Sequence, residues 1–387
     1  MGLLDIFKKG KTLTYTEVRE AIVKKDTQQL KKISIESFST RHRSGDSPAY
    51  FCAENDHKEC LRIISERAPN SLTIQTAFGA TPAFIAAEKG HLECLKIITE
   101  RAPDTLKTQT TRGAIPGATP AFIAAERGQK ACLEFIFEKA PEALKIPDRN
   151  GKLPAFVAAE KGHKDCLEFI FEKEPETLKT PNNNEEVPAF VAAEKGHKDC
   201  LEFIFENDTE TLKTPNNEGK TPMFIAAEKG QRECLEFLFE KESETITVQD
   251  ETGATPAFIA AEKGRRECLE FIFEKAPETL KAPNNEGKTP AFIAAEKGQR
   301  ECLEFLYEKE PETIMVQDET GAAPAFIAAE KGRRECLEFI AEVAPDSFRT
   351  ENKKGQNALT IATLENHKEC RDIIVAVAEK YGYSLID

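Results

Sequence analysis

The sequence predicts an all-α solenoid, in which short helix-turn-helix units stack on one another and are joined by tight turns. The main observation is a repeat that cysteine marks: apart from Cys52, the cysteines follow one another at a constant step. They stand at 60, 94, 132, 166, 200, 234, 268, 302, 336 and 370, so the step is 34 residues except for one of 38. A fixed period of this length is typical of proteins whose repeats bury their apolar faces on their neighbours.

Each repeat begins with a short first helix, for which the copy at 255–264 is an example. Thr255 is suited to cap the helix, and Pro256 occupies the first helical position, where a missing N–H does no harm. Gly264 is suited to the left-handed residue just past the helix end. Between these signals the sequence is rich in Ala, so neighbouring first helices are expected to approach closely.

A more apolar second helix follows, and a turn closes the repeat. At about 100° per residue, the apolar positions of this helix cover roughly 200° of the helical wheel, which indicates burial on more than one side. These positions are Cys268, Leu269, Phe271, Ile272 and Phe273. Residues 284–287 (Asn-Asn-Glu-Gly) predict a tight turn in which Gly287 adopts a positive φ.

The recurring core Thr-Pro-x-x-x-Ala-Ala-x-x-Gly resembles that of the ankyrin repeat. At residues 81–91 it reads Thr-Pro-Ala-Phe-Ile-Ala-Ala-Glu-Lys-Gly-His, and the resemblance covers residues 46–375 in ten units. The tetratricopeptide repeat has a similar period, but the Trp of its first helix is missing here, because the chain contains no Trp.

Three departures separate this repeat from the usual ankyrin sequence. The repeat is one residue longer than the usual ~33, and Ala-Pro-Glu at 276–278 replaces Gly-Ala-Asp. Ala-Phe at 83–84 replaces Leu-His, from which we expect a ladder of stacked Phe side chains in place of a polar one. Its other members are Phe122, Phe156, Phe190, Phe258, Phe292 and Phe326.

We divide the chain into four parts. Residues 1–15 form an N-terminal lead-in, residues 16–45 a degenerate capping repeat, residues 46–351 the central ankyrin-like repeats, and residues 352–387 a C-terminal capping repeat. Both end repeats are rich in polar residues, as the solubility of a solenoid requires.

Some units break the pattern. Leu153, Val187 and Ala323 replace the capping Thr, a loss of about 1 kcal/mol each. Glu185 stands where the turn should have Gly. The four-residue insertion falls within residues 112–119, so we expect that turn to project further than its neighbours.

Composition and charge exclude several classes of function. Hydrophobic residues make up 40% of the 387 residues, enough for a core, and the formal net charge of −14 opposes binding to nucleic acid and to anionic lipid. No apolar run approaches the ~20 residues that span a bilayer, so we expect no membrane insertion. Residues 1–9 lack the layout of a signal peptide, which predicts a cytoplasmic protein.

The sequence offers no site for catalysis, a metal or a cofactor. His and Cys recur three residues apart, as in His91 and Cys94, but Gln or Arg replaces this His in other repeats while Cys stays. We therefore interpret the cysteines as small buried side chains that remain reduced, because equivalent positions on packed helices are too far apart for a disulfide. No phosphate-binding loop or nucleophile elbow occurs, which predicts a protein that is not an enzyme.

The early turns carry the residues that we expect to bind a partner. An apolar and basic cluster there stands out on an acidic chain, and aromatic and Arg residues commonly anchor interfaces. The predicted partner-binding residues are Phe78, Arg112, Ile115, Pro116, Arg149 and Lys152. Ordinary variation among loops is the alternative. The Glu-Lys pairs that end the first helices, such as Glu88-Lys89, likewise fit either a charged groove or a solvated face.

The resemblance to ankyrin repeats implies a non-enzymatic protein–protein interaction scaffold or adaptor that binds its partner through turn tips and the concave face. One version is a bacterial effector that acts in the host cytosol. The alternatives are a regulatory or targeting module of an enzyme system and a purely structural spacer. We expect a monomer, because the solenoid has capped ends and a high charge.

Overall fold

The computed structural model of the protein describes residues 11–382, and every regular element in that part of the chain is helical. It contains 22 α-helices and ten short 3₁₀ helices. The predicted all-α repeat fold is therefore confirmed. Residues 1–10 of the predicted lead-in and residues 383–387 of the predicted last repeat lie outside the described range.

Two helices precede the ten repeats, α1 (Tyr15–Val23) and α2 (Thr27–Leu30). The first helices of repeats 1 to 10 are α3 (Pro48–Glu54), α5 (Pro82–Lys89), α7 (Pro120–Glu126), α9 (Pro154–Lys161), α11 (Pro188–Lys195), α13 (Pro222–Lys229), α15 (Pro256–Glu262), α17 (Pro290–Lys297), α19 (Pro324–Glu330) and α21 (Ala358–Leu364). The second helices are α4 (Lys58–Arg67), α6 (Leu92–Thr99), α8 (Lys130–Lys139), α10 (Lys164–Lys173), α12 (Lys198–Asn207), α14 (Arg232–Lys241), α16 (Arg266–Lys275), α18 (Arg300–Lys309), α20 (Arg334–Val343) and α22 (Lys368–Tyr381).

The first helices begin and end at the predicted residues. Thr255 Oγ1 accepts the N–H of Phe258 at 3.2 Å, and Pro256 is the first residue of α15. Gly264 has a φ of +70°, which a residue with a side chain adopts only with strain. The next repeat adds a second reason for Gly here, because a Cβ at this position would lie 2.4 Å from Gln299 Oε1.

The irregular units deviate as the sequence predicts. Neither Leu153 nor Ala323 provides a side-chain hydrogen bond at its helix N-terminus. Glu185 adopts a φ of +62° in the turn that precedes α11, where equivalent turns have Gly. The four-part division of the chain stays a prediction, although α1 does have a capping box between Thr14 and Glu17.

The helices form two compact units, Met1–Ala192 with Glu202–Asp208 and Ala193–Leu201 with Thr209–Asp387. In the first unit, helices α3, α5, α7 and α9 pack on one another in series, and so do α4, α6, α8 and α10. The second unit repeats this arrangement with α13 to α21 and with α14 to α22. Ala pairs such as Ala260-Ala261 are completely buried in these contacts, because small side chains let the first helices approach closely.

The structure corrects the expected Phe ladder. The first-helix Phe side chains are buried, as Phe156 and Phe292 illustrate, but the contacts of Phe rings with Phe or Tyr rings in residues 11–382 lie between second helices. There, a ring of one repeat meets the edge of a ring 32 residues further on, with centroids 5.6–5.9 Å apart and interplanar angles of 83–86°. The pairs are Phe137–Phe169, Phe171–Phe203, Phe239–Phe271, Phe273–Phe305 and Tyr307–Phe339.

Backbone hydrogen bonds link consecutive turns, a feature that the sequence pattern did not predict. Asn284 Oδ1 accepts the N–H groups of Glu286 and Lys288, both at 3.0 Å, and this shapes the turn. The N–H of Asn285 then donates to the carbonyl of Thr252 at 2.9 Å. The same bond recurs in the first unit, where the N–H of Ala77 donates to the carbonyl of Ser44 at 3.1 Å, so these turns are positioned by the turns that precede them.

Candidate protein-binding site

The long turn at residues 110–117 is fixed at both ends by its neighbours. The N–H groups of Thr111 and Arg112 donate to the carbonyl of Phe78 at 2.8 and 3.2 Å. At the other end, the carbonyl of Pro116 accepts the N–H of Arg149 at 3.1 Å. The inserted residues therefore leave and rejoin the regular series of turns at defined points, and residues 112–114 between them are exposed.

Three of the six predicted site residues line one groove of about 370 Å³, which we call the early groove. They are Phe78, Arg112 and Ile115. Phe78 is 55% exposed, more than any other Phe that the structure describes. A large apolar side chain that is this exposed, beside a second apolar residue, is typical of a binding surface.

The structure does not bring the other three predicted residues into this groove. Arg149 Nη2 donates to the carbonyl of Thr111 at 2.9 Å, so this side chain braces the long turn. Lys152 Nζ lies 3.0 Å from Glu160 Oε2 and 5.1 Å from the centre of the Phe156 ring. The Lys152 side chain is 23% exposed, and Pro116 is likewise partly buried.

The groove has further polar lining residues that were not among the six predicted site residues. Asp46, Tyr50, Glu54 and Glu88 line it together with the predicted residues. Asp46 precedes α3, Tyr50 and Glu54 belong to α3, and Glu88 belongs to α5, so the first helices provide one wall and the turns the other. A comparison of equivalent positions could have found Asp46, because three later repeats have Lys there, as Lys152 illustrates.

Along the later first helices, each terminal carboxylate is close to a cation. One set of pairs joins a basic residue to the Glu of the preceding repeat: Arg127–Glu88 (3.1 Å), Lys161–Glu126 (3.6 Å), Lys229–Glu194 (3.6 Å) and Lys297–Glu262 (3.4 Å). A second set joins a turn Lys to the Glu eight residues later: Lys152–Glu160 (3.0 Å), Lys220–Glu228 (3.5 Å) and Lys288–Glu296 (3.2 Å). Burial by itself would raise the pKa of Glu228, but the neighbouring Lys side chains hold it below its usual value.

The first repeat lacks both cations. Asp46 occupies the place of Lys152, eight residues before Glu54, so two carboxylates face the groove where repeats 4, 6 and 8 have an ion pair. In residues 11–382, neither carboxylate lies within ion-pair distance of a basic group, and Lys89, the counterpart of Arg127, makes no ion pair either. Burial raises the pKa of the Tyr50 phenol, and Glu54, Asp46 and Glu88 raise it further, which places negative charge around this hydroxyl.

A family model that describes three copies of the ankyrin repeat matches four segments of the chain. They are residues 19–109, 102–181, 174–250 and 242–318. The chain belongs to the ankyrin-repeat family. The first match begins within α1, and the last ends before α19. No curated protein matches the chain.

The ankyrin repeats of this chain share a polar contact that explains the alternation of His, Gln and Arg before the second helix. In each case a side-chain N–H donates to a carbonyl near the end of the preceding first helix. His91 bonds to Ala53 at 2.8 Å, Gln299 to Glu262 at 3.3 Å and Arg333 to Glu296 at 2.8 Å. Because all three residue types can donate this bond, they replace one another, and the column has a structural role.

The described ankyrin repeats contain no cluster of metal ligands, and their thiols are buried. No group of three His, Cys, Asp or Glu side chains is placed to hold a metal ion in residues 11–382. All eleven cysteines are buried, and none of them forms a disulfide. Burial raises the pKa of Cys132 to about 11 and that of Cys166 to about 12, so these thiols do not ionise near neutral pH. None of the described helices is long and apolar enough to cross a membrane.

Proposed function

We propose that this ankyrin-repeat chain is a non-enzymatic scaffold that binds a protein partner, and that the early groove is the main contact. Ankyrin repeats are generally protein–protein interaction modules. The observation that carries the proposal is the exposed Phe78 ring, which shares the groove with Ile115 and Arg112. Exposed aromatic and Arg side chains are the residue types that most often dominate the energy of an interface.

Two of the remaining predicted residues hold the long turn that lines this groove. Pro116 and Arg149 fix the far end of the long turn, and Arg149 also bonds to Thr111. A turn that is already fixed loses less conformational freedom when a partner binds. A direct contact between the partner and Pro116, Arg149 or Lys152 stays a prediction.

The same proposal includes a place of action. Eleven buried thiols that form no disulfide suit a reducing compartment, which supports a cytoplasm or, for a bacterial effector, the cytosol of a host cell. We propose that the chain acts as a monomer, with its net charge of −14 opposing self-association.

Affinity capture with the full chain as bait tests this function. Bacterial and eukaryotic cytosol are used in parallel, and captured proteins are identified by mass spectrometry. The test variant combines Phe78→Ala with Ile115→Ser. The matched control combines Thr252→Ala with Glu286→Ala, because these residues stand just before the turn Gly, as Phe78 does.

We expect a partner that the wild type and the control retain and the test variant loses. A eukaryotic partner with this behaviour supports a host-directed adaptor, and a bacterial partner supports a role within the bacterial cell. If no protein depends on Phe78 and Ile115, the proposal fails and the spacer becomes the better account. Capture of an enzyme whose activity changes on binding favours the regulatory module.

A further inference from the structure

We propose that the early groove binds a segment of the partner in which a Lys or Arg side chain lies next to a large apolar side chain. The cation is bound between Asp46 and Glu54, and the apolar side chain packs against Phe78 and Ile115. This inference rests on the proposed function, and it specifies the chemistry of the partner.

The charge argument comes from comparing equivalent positions within the chain. Where repeat 4 has Lys152 bonded to Glu160, repeat 1 has Asp46 and Glu54, two like charges on the same wall. Both carboxylates are partly buried, and a partly buried charge without a cation is less stable than a paired one. A cation from the partner would complete the arrangement that repeats 4, 6 and 8 complete with their own Lys152, Lys220 and Lys288.

The groove also sets the order of the two side chains. Arg112 lies on the turn side with Phe78 and Ile115, and Arg127 is bonded to Glu88 at 3.1 Å, so a second cation is disfavoured there. Asp46 and Glu54 lie at or near the two ends of α3, on the other wall. The cation of the partner therefore lies towards α3 and its apolar side chain towards the long turn.

The size of the groove favours an extended segment as its occupant. Its volume of about 370 Å³ is at the lower end of the ~300–1,000 Å³ typical of ligand pockets. That volume holds a few side chains. The exposed wall formed by residues 112–114 leaves room for the rest of the segment to pass along the surface.

The probe for this inference is a displayed library of random nine-residue peptides, selected on the full chain. We expect the selected peptides to share a Lys or Arg beside Leu, Ile, Met or Phe. One selected peptide is then labelled with a fluorophore, and its affinity is measured by anisotropy for four chains. These are the wild type, Phe78→Ala, the double variant Asp46→Asn with Glu54→Gln, and the control Glu262→Gln, whose carboxylate is paired with Lys297.

The double variant is expected to bind the peptide roughly three- to tenfold more weakly, as for loss of two partly solvated charge pairs. A version of the selected peptide in which Met replaces the Lys or Arg should bind the wild-type chain and the double variant with equal affinity. Glu262→Gln should bind like the wild type. Raising the salt concentration should weaken binding to the wild type more than to the double variant.

Two outcomes separate this inference from the proposed function. If the selected peptides depend on Phe78 but bind the double variant as tightly as the wild type, the cation site is wrong and the groove still binds a partner. If no selected peptide depends on Phe78, both the inference and the proposed function of the groove are overturned.

Discussion

Glu185 is expected to destabilise its own turn, and its replacement by Gly should stabilise the chain. The turn has the same backbone hydrogen bond as its counterpart at 284–287. The N–H of Glu185 donates to the carbonyl of Asn182 at 3.0 Å, and the N–H of Gly287 donates to the carbonyl of Asn284 at 3.0 Å. This geometry requires a positive φ, which is +62° at Glu185 and +75° at Gly287. The left-handed conformation costs a residue with a side chain about 1–2 kcal/mol.

The expected gain is smaller than that strain. Gly has more conformational freedom than Glu in the unfolded chain, and the loss of this freedom on folding cancels about 0.5–1 kcal/mol of the strain that is relieved. The net stabilisation from Glu185→Gly is therefore about 0.5–1 kcal/mol. Asn184→Gly is the matched control, because Asn184 is exposed in the same turn but does not have a positive φ, so this variant should be slightly destabilised.

Native-state hydrogen exchange is the suitable assay, because stacked repeats open locally and a single unfolding transition is not assured. Amides of α11, which follows the turn, should exchange about two- to fivefold more slowly in Glu185→Gly than in the wild type. Equal or faster exchange in this variant would refute the argument from backbone strain. Slower exchange in Asn184→Gly would show that the backbone flexibility of a new Gly, rather than relief of the positive φ, slows the exchange.

Three further predictions concern the interior of the stack. Ala323→Thr should stabilise α19 by about 1 kcal/mol through a new helix cap, and Thr289→Ala should destabilise α17 by a similar amount, both measured by native-state hydrogen exchange of the helix amides. Gln299→Leu should destabilise the chain by about 1–2 kcal/mol, because the Glu262 carbonyl loses its hydrogen-bond donor. Gln299→Arg should leave stability almost unchanged, since Arg333 donates the equivalent bond in the next repeat. A destabilised Gln299→Arg variant would contradict this interpretation. Stability should fall as the pH rises from 9 towards 12, because the unfolded chain loses its thiol protons from the ordinary pKa of 9.0 while Cys166 retains its proton up to about 12. Urea midpoints at a series of pH values check this, and the fall should be smaller in Cys166→Ala; an equal fall would attribute it to other groups.

The repeat fold was predictable because each local signal has one physical meaning. Thr255, Pro256 and Gly264 define the ends of a helix by capping chemistry, and the constant cysteine step shows that the unit recurs. The family match confirms this part of the prediction. The position of the ring contacts could not be predicted in this way, because they depend on which residues of neighbouring second helices meet.

The candidate site was predictable only in part. Phe78 and Ile115 stand out in the sequence because apolar residues are unusual in these turns. Lys152 looked available for a partner, but it is bonded to Glu160 from its own repeat. Asp46 and Glu54 did not stand out among many carboxylates, because the sequence does not show that both line one groove or that neither makes an ion pair in the described part of the chain, although the Lys at the position of Asp46 in three later repeats was a signal.

Site-specific photo-crosslinking tests the central claim most directly. A photoreactive amino acid is placed at position 78 or 115 in the early groove, or at position 252 or 248 in a later repeat, and each full chain is irradiated with its captured partner. The account predicts covalent adducts with the partner from positions 78 and 115 and none from 252 and 248. Adducts confined to the later positions, or equal at all four, would contradict the claim that the early groove binds the partner.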